Sequence, residues 1–133
     1  MKKIAVVICL ICLCAGLFIG CNDTPTKLAG MTYVGEDMAV KFTDNTYSAE
    51  EQAAIKERIQ EEKAYLKDSL RLSFKENGVV EDIDHETGTY VYQDGKGYIL
   101  FDEERLKMEF SDEIMYIFIE ETDIVLIYKL VPQ

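Results

Sequence analysis

From Ser69 to the carboxyl end, apolar and polar positions alternate. Leu70, Leu72 and Phe74 interleave with Arg71, Ser73 and Lys75, a period of two that predicts a half-buried strand. Glu76-Asn77-Gly78 follows, and Asn-Gly is the strongest short hairpin signal because both residues tolerate positive φ. Val79 to Ile83 predicts the return strand, and Gly88 to Tyr92 the next one. Asp94-Gly95-Lys96-Gly97 is a second tight turn, from which Tyr98 to Phe101 returns. Asp102-Glu103-Glu104 turns again, and Leu106, Met108 and Phe110 alternate with Lys107 and Glu109. The last two segments, Ile114 to Ile119 and Ile124 to Val131, are apolar on both faces. Upstream, Met31 to Val34 and Met38 to Phe42 predict two strand pieces, with Gly35-Glu36-Asp37 between them as a turn or a bulge.

One segment breaks this period. Ser48-Ala49-Glu50-Glu51 has the form of a capping box, in which the hydroxyl accepts the amide three residues on and the glutamate reaches back. The helix it opens is expected over about residues 48–68, with a thin apolar stripe of Ile55, Ile59 and Leu66 interrupted by Glu62. A stripe that thin belongs outside a core or across its end. Lys56, Glu57, Arg58, Glu61, Glu62 and Lys63 read as its solvated face. Turn signals recur about every 9 to 12 residues along the remainder, which predicts a mainly β protein. The expected fold is a small antiparallel meander barrel, or a sandwich, of about 7–9 strands with one amphipathic helix inserted early. The doubly apolar last strands need a cover on their second face. The helix is the candidate, although it could equally close a barrel end.

The amino end has a different character. Met1-Lys2-Lys3 is followed by Ile4 to Ile19, 16 residues with no charge, short of the roughly 20 that span a bilayer. This is the layout of an export signal. Leu17-Phe18-Ile19-Gly20-Cys21 resembles the lipobox of bacterial lipoproteins, with Gly20 as the small residue before the cleavage point. Phe18 and Ile19 relax the usual pattern. The resemblance implies a signal peptide over 1–20, a diacylglycerol on the Cys21 thiol, and a membrane as partner through that lipid. It also implies residence in the cell envelope, on the periplasmic or surface face of an outer membrane. Residues 21–29 are then expected to be a lipidated tether, and 30–133 a single β-rich domain.

Removal of the signal changes the composition. Cys9, Cys12 and Cys14 leave with it, so the mature chain of 113 residues keeps no free thiol for a disulfide, a thiolate metal site or a nucleophile. Without Lys2 and Lys3, 12 basic residues stand against 25 acidic ones, a net charge of −13. Such a chain is repelled by phosphate backbones, so nucleic acid is not expected as a partner.

The domain itself resembles small lipocalin-like lipoproteins of bacteria. The resemblance is carried by Leu28 to Gly35, Leu72 to Gly78, Thr87 to Tyr90, and the final strand ending Ile127 to Leu130. It implies an up-and-down barrel whose interior is either filled or holds one ligand. The chain departs from the pattern in having no Trp and in carrying a long helix where a short loop is usual.

Candidate chemistry is sparse. His85 is the only histidine, in a predicted loop with no nucleophile tied to it. Asp82, Asp84 and Glu86 alternate as in a calcium loop, but Gly88 falls one place late and the twelfth position is the uncharged Gln93. No phosphate-cradling loop is present. No catalytic residue, metal or cofactor is therefore expected, and the chain is read as a non-enzyme. The candidate ligand residues are Tyr90, Tyr92, Tyr98 and Tyr116, strand tyrosines that could line a barrel. The leading expectation is a binding module holding a small apolar or amphipathic ligand. The alternative is a structural or assembly lipoprotein with a filled barrel that contacts another envelope protein.

Overall fold

The computed structural model describes residues 24–133. The signal peptide and the lipidated Cys21 expected from the sequence lie outside the described residues. The chain runs β1 (Thr32–Phe42), α1 (Ala49–Lys63), α2 (Leu66–Ser69), β2 (Arg71–Phe74), a 3₁₀ turn (Glu76–Gly78), β3 (Val79–Glu81), β4 (Thr87–Gln93), β5 (Lys96–Phe101), β6 (Glu104–Ser111), β7 (Ile114–Glu121) and β8 (Ile124–Pro132). The eight strands form a closed antiparallel barrel in chain order, with β1 pairing both β2 and β8. The open choice between barrel and sandwich is thus decided for the barrel. Among the described residues, closure leaves no sheet edge to pair with another chain.

The two strand pieces expected near the start are one strand. The register of β1 against β8 shifts between Gly35 and Asp37, which makes Gly35-Glu36-Asp37 a bulge that bends the strand. Asp94, Asp102, Asp112 and Asp123 all take positive φ, one in each of the last four hairpin turns. Aspartate tolerates that region better than most residues.

The capping box forms as expected. Glu51 N donates to Ser48 Oγ at 3.1 Å, and Ser48 N donates to Glu51 Oε1 at 3.0 Å. Ser48→Ala is expected to cost about 1 kcal/mol, read as a lower urea midpoint by far-UV circular dichroism. The helix is shorter than the sequence pattern extends. It ends at Lys63, and Leu66–Ser69 forms a separate turn. That turn lies close on β1: a Cβ at Gly35 would stand 3.1 Å from both Leu66 O and Leu70 Cβ. Gly35 N donates to Leu70 O at 2.9 Å, so a glycine is what lets helix and bulge meet.

Both helices pack at one end of the barrel. Ile59 and Leu66 bury against Met38, Val40 and Ile124, with Phe42, Ile55 and Leu126 beside them. Met38, Val40 and Phe42 pair with Tyr128, Leu126 and Ile124 in register. These belong to the face that continues into the barrel core through Leu130. The helices therefore pack across one side of an end, leave the rest of it open, and do not cover the outer wall.

The opposite end is closed by the amino-terminal segment. Residues 24–29, expected as part of a free tether, pack on the barrel instead. Leu28 is 1% exposed, the apolar residue that anchors an otherwise polar run. Gly30 N donates to Phe74 O at 2.7 Å, and Phe74 N to Met31 O at 2.9 Å. The Tyr92 hydroxyl donates to Pro25 O. A chain of edge-on rings fills the barrel beneath this plug. Tyr90 meets Phe74 at 4.9 Å, Phe74 meets Tyr33 at 6.0 Å, Tyr33 meets Phe110 at 5.6 Å and Phe110 meets Tyr92 at 5.4 Å.

Candidate functional site

The register sorts every strand tyrosine. The two-residue turn at Asp94-Gly95 pairs Tyr92 with Gly97, Val91 with Tyr98 and Tyr90 with Ile99. Ile99 is fully buried in the core, so Tyr90 and Tyr92 point inward and Tyr98 points out. Tyr116 pairs with Glu109 and Lys129, on the opposite face from Met115 and Ile117, and it also points out. The four candidate tyrosines thus form no ring. Tyr90 and Tyr92 belong to the filled, plugged end. Arg105 stacks on the outer face of Tyr98 at 3.8 Å. The inward tyrosine near open space is Tyr128, and Tyr33 is a core residue that the pattern does not single out.

Open space lies at the helix end. A cavity of about 420 Å³ opens there between α2, the loop after β3 and the ends of β5, β6 and β7. Its floor is apolar: Leu72, Phe101, Leu106, Ile117, Ile119 and the ring of Tyr128. Its rim carries Glu62, Tyr65, Arg71, Asp82 and Asp84. That volume falls within the range of small-molecule pockets, and an apolar floor with a few polar rim groups is their usual make-up. Sequence pattern alone does not mark most of these residues as a site. The period of two places Leu106 with Met108, and Ile119 with Ile117, on one face. Which end of that face stays unfilled depends on where the helices and the amino-terminal plug dock.

The hydroxyl environment differs between the two ends. At the plugged end, burial pushes Tyr33 up to about 12, with the charges of Tyr92 and Glu113 adding to it. At the mouth, burial also raises Tyr128, and the carboxylates of Glu62, Glu121 and Glu104 raise it further. Glu104 and Glu121 continue the inward faces of β6 and β7, two residues beyond Leu106 and Ile119.

The acidic loop after β3 is organised by its own hydrogen bonds. Asp82 Oδ1 accepts from the amides of Asp84 and Glu86, each at 2.9 Å, a side-chain turn that favours this loop over a strand. His85 is exposed, takes positive φ, and pairs with Glu81 at 3.1 Å. Among the described residues no three His, Cys, Asp or Glu side chains converge to hold a metal ion. Among them, too, no helix is long and apolar enough to cross a membrane.

The fold and cavity together define the chain as a small up-and-down barrel with one filled end and one open end. Comparison with protein-family models, with curated proteins and with solved structures finds no match to it.

Proposed function

We propose that the chain is a membrane-anchored lipoprotein of the bacterial cell envelope whose barrel binds one small apolar or amphipathic ligand through its open end. The cavity of about 420 Å³ with its apolar floor carries this reading. Eight-stranded barrels have an interior just large enough to be filled by side chains or to hold one small ligand. Here the aromatic chain fills one end of that interior and the other end is left open. The reading is of binding rather than catalysis, because the floor offers apolar contact and His85 is not among the lining residues.

The plug orients the barrel under this reading. Thr24 lies against the turn between β4 and β5, where a Cβ on Gly95 would stand 3.4 Å from its methyl group. Cys21 precedes Thr24 by three residues, a reach of at most about 11 Å. A lipid on Cys21 therefore holds the plugged end toward the bilayer. The cavity lies at the other end and opens away from it, so the ligand arrives from the aqueous side.

Native mass spectrometry of the full chain, purified from the envelope of its producing organism, tests the reading. The expected spectrum shows acyl mass on Cys21 and a further non-covalent mass that gentle heating removes. Ile119→Trp, which fills the floor, is expected to abolish the second mass and keep the first. An apo spectrum at every activation energy overturns the binding reading, and an unacylated chain in the membrane fraction overturns the anchor.

The alternative role, contact with another envelope protein, is favoured by a different observation. Val91, Tyr98, Lys107 and Phe118 stand in one row across the outside of β4 to β7, continued on β8 and β1 by Ile127, itself buried, and Ala39. Val91 is 61% exposed and Leu100, beside the row, 41%. If an apo spectrum is obtained, this belt becomes the first surface to cross-link.

A further inference from the structure

The mouth's chemistry narrows the ligand class, an inference that rests on the binding reading above. On β6 the inward face runs from Met108 through Leu106 to Glu104, and on β7 from Ile117 through Ile119 to Glu121. Two apolar stripes thus end in carboxylates one step beyond the residues that line the cavity. Glu62 joins them from α1 across the opening. The Tyr128 hydroxyl lies within the field of all three. The loop after β3 adds Asp82 and Asp84 to the lining, against the guanidinium of Arg71, while Arg105 and Lys107, beside Glu104 and Glu121, are held on the outer wall by Tyr98 and Glu109. The rings of Tyr65, Phe101 and Tyr128 line the same space.

We infer that the open end selects ligands whose apolar body ends in a cationic head, an amine or quaternary ammonium, over ligands that end in a carboxylate. The floor takes the hydrocarbon. The rim supplies negative charge, and the aromatic faces attract a cation by their quadrupoles. A carboxylate head would meet like charge from Glu62, Glu104 and Glu121, which disfavours the wrong partner more strongly than it strengthens the right one. Glu62, Glu104 and Glu121 are exposed, so salt screens the effect.

The test uses three probes of equal chain length: hexyltrimethylammonium, hexanol and hexanoate. The full chain is reconstituted in phosphatidylcholine nanodiscs and titrated by calorimetry, with empty nanodiscs subtracted. Hexyltrimethylammonium is expected to bind about tenfold more tightly than hexanoate, with hexanol between them, and the ratio is expected to shrink at high salt. In the triple variant Glu62→Gln, Glu104→Gln, Glu121→Gln the ratio is expected to fall close to one, with the melting midpoint checking that the fold persists. Hexanoate binding as tightly as the cation overturns the inference and leaves the binding reading standing. A cation preference that survives in a folded triple variant overturns the assignment to these carboxylates. Failure of all three probes to bind overturns the inference together with the binding reading beneath it.

Discussion

Phe74→Ala is expected to destabilise the barrel by about 3–5 kcal/mol, the range for deleting a buried aromatic ring. Phe74 is 1% exposed and joins the rings of Tyr33 and Tyr90, so its loss breaks the aromatic chain in the middle. It also stands on the strand that receives the plug, with its amide and carbonyl bonded to Met31 and Gly30. A cavity there removes the support under Leu28 as well as the ring's own burial. Domains of this size are stable by only about 5–15 kcal/mol in total, so the variant sits near the edge of folding. Phe74→Leu keeps an apolar side chain of nearer volume and is expected to cost less than half as much. Urea unfolding followed by circular dichroism measures both. Equal midpoints for wild type and Phe74→Ala would mean that the plugged end is not packed as described.

The strands are legible in the sequence because a period of two is written residue by residue. Leu70, Leu72 and Phe74, or Leu106, Met108 and Phe110, need no tertiary information to be placed on one face. The turns are legible for the same reason: Asn77, Asp94 and Asp102 mark positive φ by residue type, and each takes it. The capping box at Ser48 is equally local.

What is not legible depends on pieces far apart in the chain. Barrel closure pairs β1 with β8, at opposite ends of the described chain, and no local pattern distinguishes that pairing from a sandwich. The helix stripe of Ile55, Ile59 and Leu66 announces an apolar contact, but not whether it meets an outer wall or an open end. Leu28 is the first large apolar residue after a polar run, too little for a periodicity to register, and yet it is among the most buried. The site suffers most from this. Tyr90 and Tyr92 share a face in any strand, but the side taken by Tyr98 follows only from counting a two-residue turn across to Gly97 and Val91. The same counting places Glu104 and Glu121 at the inward ends of apolar stripes, a signal that is present in the sequence and becomes meaningful once the open end is known.

The inward tyrosines make a second large effect, a steep loss of stability in alkali. An unfolded tyrosine titrates near 10, whereas Tyr33 in the fold is pushed up to about 12, chiefly by burial. Burial also raises Tyr90, Tyr92 and Tyr128. Below about pH 10 each hydroxyl is protonated in both states and stability does not depend on it. Between about pH 10 and 12 the unfolded chain releases the Tyr33 proton and the native chain keeps it. The native state then binds more protons, and stability falls as pH rises. Tyr33 alone accounts for about 2–3 kcal/mol across that interval, at roughly 1.4 kcal/mol for each pH unit between the unfolded and folded titrations. The Lys129–Glu36 pair acts in the same direction. Glu36 raises the lysine, so its contribution is complete below the unfolded lysine value and disappears as pH climbs through the folded one. Tyr33→Phe separates these parts. Among the described residues the Tyr33 hydroxyl makes a single long contact, with Met31 Sδ at 3.5 Å, so the variant is expected to stay close to wild type near pH 8. At about pH 11.5 it is expected to be the more stable of the two, because it has no proton to release on unfolding. Urea midpoints measured from about pH 8 to pH 12 decide the matter. Parallel curves for the two proteins would show that the Tyr33 hydroxyl is not held in a dry barrel end.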